Sequence, residues 1–239
     1  MNSEALLTCR GLSGGYPNRR VLHDLDLQLG EGRCVAVIGP NGHGKTSLLR
    51  AISGLLPEMS GEISLLGQRI LGKPAEEIVA AGVVHIPQGD LLFPEMTVRE
   101  NLLMGAYLVR DGAEINRRLE EVFTLLPKLA ERQKQQANSL SGGERRMVGI
   151  GRGLMTGGKL LLIDEPSLGL APIIIEQIYN LLATLRGQGR SILLVEETVS
   201  RALPLADDVY LLDGGRFAWH GSPGDLIDRP ELIATYLGG

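Results

Sequence analysis

The sequence predicts an α/β fold organised around a parallel sheet, and three short runs carry that prediction: CVAVIG from Cys34, LLLID from Leu160 and SILLV from Ser191. Each run is continuously apolar and gives way to polar or glycine-containing residues, as strands covered on both faces do. Helical periodicity follows all three, over 45–53, 172–186 and 198–206. Strands that alternate with helices in this way build parallel sheets. Pro172 suits a first helical turn, where its missing N–H leaves nothing unsatisfied.

The remaining elements follow from the same patterns. Asp24 to Leu29 (DLDLQL) alternates apolar and polar residues, the period of a strand with one wet face. The middle of the chain reads as helices over 100–107, 114–126 and 144–155, the last after a glycine pair, with no strong strand between them. Residues 89–157 are therefore expected to form a helical insertion in an α/β core made by 1–88 and 158–239. Residues from Phe217 onward read as a short helical appendage. There are no internal repeats and no low-complexity tract.

Composition narrows the class. The 239 residues suffice for one large domain or a domain with a subdomain. With 44% hydrophobic but only 4% aromatic residues, the core is expected to be aliphatic. Twenty-four basic against 28 acidic residues give a net charge of −4, without the basic surplus of a nucleic-acid-binding protein. No apolar run is long enough to cross a bilayer. The start, MNSEALLTCR, lacks the charged and apolar regions of a signal peptide. Cys9 and Cys34 match no metal spacing, and Cys34 reads as a small buried residue. These features predict a soluble protein of a reducing compartment, with any membrane role acting through partners.

The strongest chemical signal is GPNGHGKT, Gly39 to Thr46, which fits G-x-x-x-x-G-K-[ST] and lies between a predicted strand and helix. Glycines let the backbone turn several N–H groups toward one anion, and the following helix adds positive potential at its N-terminus. Lys45 is then expected to reach the β- and γ-phosphates, and Thr46 to offer its hydroxyl to Mg²⁺. A glycine-rich turn with a surface lysine would not require this strand–helix context. In KLLLIDEP the apolar strand runs directly into Asp164 and Glu165, at the sheet edge where ligands bind. Asp164 is expected to act on the metal, and Glu165 to act as the base or to orient the attacking water.

LSGGE, Leu140 to Glu144, lies between these two segments and precedes a helix rich in small residues. It also reads as an N-terminal capping box, Ser141 with Glu144. With the three segments in this order, the chain resembles the ABC-type ATPases. The resemblance implies a P-loop NTPase (RecA-like) core with a parallel sheet, an N-terminal antiparallel β subdomain and the helical insertion, all in one ABC ATPase domain. ATP and Mg²⁺ are the implied ligands. Gly39, Pro40, Asn41, Gly42, His43, Gly44, Lys45, Thr46 and Ser47 would hold the nucleotide phosphates. Tyr16 would stack on adenine, and Gln88 would sense Mg²⁺ and link the site to a transport domain. Ser141, Gly142, Gly143 and Glu144 would act in trans, on the nucleotide of a second ATPase subunit.

Finer resemblance is to the ATP-binding subunits of branched-chain amino acid importers. FPEMTVRENLLMGAY from Phe93, LSGGERRM from Leu140, DEPSLGLAPIII from Asp164 and the terminal TYLGG carry it. PQG, Pro87 to Gly89, is closer to the related urea and amide importers, which remain an alternative, as does a soluble ABC ATPase outside transport. The importer resemblance implies a second ATPase subunit, identical or homologous, two membrane permease subunits and a solute-binding protein. It also implies a cytoplasmic position on the inner face of the membrane, without nucleic acid.

One departure bears on rate. Where most of the family has a histidine that bonds the γ-phosphate, SILLVEET places Glu197. A carboxylate about 4 Å from a phosphate charge costs about 1 kcal/mol even in water. Glu197 is therefore expected to turn away, take up a proton or slow the site. His43 reads as packed or exposed rather than as a replacement for that histidine. His23, His85 and His220 form no ligand-like group.

Overall fold

The computed structural model describes residues 5–237. The first four residues of MNSEALLTCR and the last two of TYLGG lie outside the described residues. The chain first makes β1 (Ala5–Tyr16), β2 (Arg19–Gly30) and β3 (Cys34–Ile38), then α1 (Lys45–Ile52), β4 (Glu58–Leu65), β5 (Gln68–Arg69), α2 (Ala75–Ala80) and β6 (Val83–Ile86). Four helices follow: α3 (Val98–Met104), α4 (Gly112–Leu125), α5 (Pro127–Glu131) and α6 (Gly142–Leu154). The last part holds β7 (Leu160–Asp164), α7 (Pro172–Gly187), β8 (Ser191–Glu196), α8 (Val199–Ala202), β9 (Asp208–Asp213), β10 (Arg216–Gly221), α9 (Pro223–Ile227) and α10 (Pro230–Leu237).

Two sheets result. The larger has six strands in the order β10-β9-β3-β8-β7-β6, and every pair in it is parallel except β10 with β9. The smaller is the antiparallel set β2-β1-β4-β5. The apolar runs behave as their composition demands. In β3, Cys34, Ala36 and Ile38 face one core while Val35 and Val37 face the other. The same alternation divides Leu161 and Ile163 of β7 from Leu160 and Leu162. The first core is closed by α3 to α7, and the second by α1 and the smaller sheet. Full burial on both faces explains why these strands carry no polar residue until their C-terminal ends.

Two expectations need correction. Residues from Phe217 do not begin a helical appendage: 216–221 form β10 after the Gly214-Gly215 turn, and helices start only at Pro223. The run RFAWHG alternates between exposed and half-buried residues, so its strand character comes from pairing with β9 rather than from an apolar run. The helix expected over 198–206 is only the four residues of α8.

The topology sets the site. Along the C-terminal edge of the sheet, neighbouring strands β3, β8, β7 and β6 lead into Gly39, Glu197, Glu165 and the Pro87–Gln88 segment in turn. Segments far apart in sequence thus meet where parallel sheets bind their ligands.

Candidate active site

The phosphate loop leaves β3 at Gly39, where a side chain has no room: a Cβ would stand 2.2 Å from the carbonyl oxygen of Leu212 on β9. At its other end Gly44 caps α1 with φ 109°, a conformation in which a Cβ would be strained. Lys45 is only 3% exposed. Its ammonium donates to the carbonyl oxygens of Gly39 at 2.7 Å and Pro40 at 3.1 Å, and pairs with Glu165 Oε1 at 3.0 Å. A buried cation demands such partners, and here they bend the side chain back over its own loop.

Thr46 donates its hydroxyl to Asp164 Oδ1 at 3.2 Å. The other carboxylate oxygen of Asp164, Oδ2, is buried without a hydrogen-bond partner. Burial raises the Asp164 carboxyl above its usual range, with the Thr46 bond opposing the shift. An unpaired buried oxygen is unfavourable unless a cation satisfies it. Asp164 Oδ2, the Thr46 hydroxyl and the Gln88 amide oxygen are hard oxygen donors of the kind Mg²⁺ takes, in small number, from a protein that also presents phosphates. Among the described residues no group of three or more His, Cys, Asp or Glu is placed to hold a metal by itself. The donor set therefore fits a metal bound jointly with a substrate.

Glu165 stands directly beyond β7 with φ 40°, in the left-handed region. For a residue with a Cβ this costs roughly 1–3 kcal/mol, and its N–H donating to the Val195 carbonyl of β8 at 3.0 Å helps hold it there. The turn brings the carboxylate back between two partners: Lys45 on Oε1 and the Gln88 Nε2 donor, 3.0 Å from Oε2. A cavity of about 410 Å³ opens over these groups, lined by Tyr16, Asn41, Lys45, Thr46, Gln88 and Glu165 among others. Tyr16 ends β1, and its hydroxyl accepts from Arg50 at 2.9 Å. Arg19 also lines the cavity. Sequence reasoning passed over Arg19, although its place three residues after Tyr16 was the available signal.

The signature segment, LSGGE from Leu140 to Glu144, lies elsewhere. Ser141 caps α6 with its oxygen accepting from the Glu144 N–H at 3.3 Å, while the Ser141 N–H donates to Glu144 at 2.9 Å. Glu144 also pairs with Arg132 at 2.9 Å. Neither Ser141, Gly142, Gly143 nor Glu144 lines the phosphate-loop cavity.

Glu197 is exposed, and its carboxylate accepts from the Asn41 side-chain amide at 2.9 Å, at the rim of the phosphate loop. Its neighbour Glu196 points inward, 2% exposed, and accepts the Tyr179 hydroxyl at 2.7 Å. His43 is tied to the turn after β9: its Nδ1 lies 2.8 Å from Asp213 Oδ1, and its carbonyl accepts from Gly215 N–H. Arg146 is the other cation near the site whose placement the sequence concealed. Arg146 is only 4% exposed and is bonded to backbone carbonyls.

Comparison with known proteins shows the family. The family model described as ABC transporter matches residues 22–168. The chain is 40% identical over 98% of its length to the high-affinity branched-chain amino acid transport ATP-binding protein BraG of Pseudomonas aeruginosa, all of which is covered. It is 36% identical over 95% of its length to a probable branched-chain amino acid transport ATP-binding protein LivF of Archaeoglobus fulgidus, 96% of which is covered. It is also 30% identical to the lipopolysaccharide export system ATP-binding protein LptB of Escherichia coli, with 98% of both chains covered. A crystal structure of an ATP-binding cassette of an ABC transporter, in its ADP conformation, superposes with a TM-score of 0.85 at 27% identity, over 98% of this chain and 99% of that one. With the phosphate loop, the acidic strand end and the signature all in place on one matching fold, the chain belongs to the ABC transporter family as an ATP-binding cassette.

Proposed function

We propose that this chain binds ATP with Mg²⁺ and hydrolyses it to drive import of branched-chain amino acids. The observation that carries the hydrolytic part is the convergence of Lys45, Thr46, Gln88 and Glu165 on one cavity, with buried Asp164 hydrogen-bonded to Thr46 behind it. Loop N–H groups and the α1 N-terminus hold the phosphates. Lys45 exchanges a carbonyl partner for a phosphate oxygen. Thr46, Asp164 and Gln88 would hold Mg²⁺, which would offset phosphate charge. Glu165 accepts a proton from the attacking water, and Gln88 fixes the orientation of that carboxylate. Ser141 to Gly143 act on the nucleotide of a second ATPase subunit, a reading supported by Ser141 and Gly143 lining a different cavity from the one over this chain's own phosphate loop.

Coupling to membrane subunits is supported by a groove of about 680 Å³ beside the Gln88 segment, whose lining includes Leu55, His85, Pro87, Met104, Tyr107 and Leu108. Tyr107 is 82% exposed and Leu55 55% exposed. Large apolar side chains at a groove suit a docked helix. Among the described residues no helix is long and apolar enough to cross a membrane. The groove would therefore place the chain on the inner membrane face through two permease subunits, which a solute-binding protein would supply.

The likeness to BraG supports branched-chain amino acids as cargo. The test is ATP-dependent uptake by the assembled complex in vesicles, offered leucine, valine, isoleucine and urea. Uptake of the branched-chain amino acids supports the reading. Uptake of urea alone transfers the system to the urea and amide importers, and ATP turnover without any uptake in a sealed, complete complex contradicts the transport role.

A further inference from the structure

The signature helix carries a buried cation to which none of the steps above gives a role. Arg146 lies on α6, two residues past Glu144. Its Nη1 donates to the carbonyl oxygens of Pro87, at 2.7 Å, and Gly89, and its Nη2 donates to that of Asp164 at 2.9 Å. Pro87 and Gly89 flank Gln88, and the Asp164 carbonyl belongs to the peptide that leads into Glu165. Arg145, beside it, pairs instead with Asp90 at the surface. A guanidinium presents its donors in a rigid planar fork. One side chain therefore fixes three peptide units in two segments, the same two that carry the Gln88–Glu165 hydrogen bond.

The burial gives this fork its force. With Arg146 only 4% exposed, its charge is compensated by those three carbonyl dipoles and by nearby Asp164, Asp90 and Glu196. If α6 shifted while the Gln88 segment stayed, the guanidinium would lose its partners without gaining water. Leaving a buried charge uncompensated is strongly unfavourable. Helix α6 and the Gln88 segment are thus bound to move together.

We propose that Arg146 is a positioning residue that transmits the placement of the signature helix to Gln88 and Glu165. Engagement of this chain's Ser141–Gly143 with the partner subunit's nucleotide would then set the catalytic carboxylate at this chain's own site. The inference rests on the ATPase reading given above, and it predicts that the two nucleotide sites communicate through this side chain.

The test is a double-mutant cycle on ATP turnover in the assembled complex, with Arg146→Lys, Gln88→Ala and both together. Lysine keeps the charge but loses the fork. Arg146→Lys should leave the KM for ATP unchanged and lower kcat on the order of tenfold or more, as expected when a catalytic group is misplaced by a fraction of an ångström to an ångström. The double variant should lose less than the product of the two single losses, because both act in part through the same carboxylate. Arg146→Gln, measured alongside, gives the same comparison if the lysine variant fails to assemble. A native kcat in Arg146→Lys overturns the proposal, as do losses that multiply in the double variant or a loss explained by a reduced folded fraction in thermal melts. Absence of turnover in the native complex would instead remove the ATPase reading itself.

Discussion

Replacing Glu197 by glutamine isolates the effect of one negative charge at the mouth of the site. The carboxylate is exposed and accepts from Asn41 of the phosphate loop at 2.9 Å. A glutamine oxygen can accept the same bond, so the variant removes charge while keeping the contact. Because the group faces solvent, the water limit is the appropriate scale: about 1 kcal/mol for unit charges about 4 Å apart. That corresponds to roughly a fivefold rise in kcat/KM for ATP on Glu197→Gln. The gain should shrink as salt rises from about 0.01 to 0.15 M, as the screening length falls from about 30 to 8 Å. Single-site turnover in the assembled pair, across that range, is the assay. Glu197→His should gain further by adding a donor toward the phosphate. A native rate equal to or above both variants would refute the reasoning and show that Asn41 already holds the charge clear of the nucleotide.

Two further predictions concern buried titrating groups. Asp164 binds its proton more tightly in the fold than in the unfolded chain, because burial raises its pKa. The stability it contributes is therefore full below the unfolded value of about 3.9 and is lost as pH rises toward the raised folded value. Asp164→Asn should accordingly raise Tm at pH 7 in the absence of Mg²⁺ and nucleotide, have little effect below pH ~3.9, and abolish stabilisation by Mg²⁺-ATP. An unchanged Tm in thermal melts would argue against a strained carboxylate. His85 behaves in the opposite sense: burial, then the Arg50 charge, lower its pKa to about 4, and its Nε2 has no partner. Its contribution is present above the unfolded value of about 6.5 and is lost as pH falls toward about 4. His85→Gln should remove up to about 3 kcal/mol of the acid-induced loss across that window in denaturant titrations, and a variant that tracks the native curve would contradict this.

The parts of the fold written in contiguous sequence were legible. β3, β7 and β8 announce themselves because both faces are buried, and the phosphate loop because glycines and Lys45 must occupy fixed positions. Other parts depend on distant partners. β1 contains Gly11, Gly14 and Gly15 and shifts register repeatedly against β2, so no clean alternation survives. β4 begins with exposed residues and is defined by its pairing with β1. β10 looked helical because only β9 makes it a strand. At the site, the motif residues were readable, but the tie between Gln88 and Glu165, the anchoring of Glu197 on Asn41 and the burial of Arg146 were not. Each joins segments brought together only by the strand order β3-β8-β7-β6. Arg146 was especially well hidden because its partners are backbone carbonyls, which leave no trace in residue identity.

The central claim is that Glu165 performs the chemistry at a site whose phosphate binding belongs to other residues. Glu165→Gln separates the two functions. It keeps an acceptor near Gln88 and a neutral side chain near Lys45, but it cannot take a proton from water. ATP binding and ATP turnover should be measured together on the assembled complex carrying this substitution. The account predicts retained ATP affinity with kcat lowered by at least about 10²-fold, the scale on which general-base catalysis operates. Turnover near the native rate with ATP still bound would contradict it and require another proton acceptor at the phosphate loop.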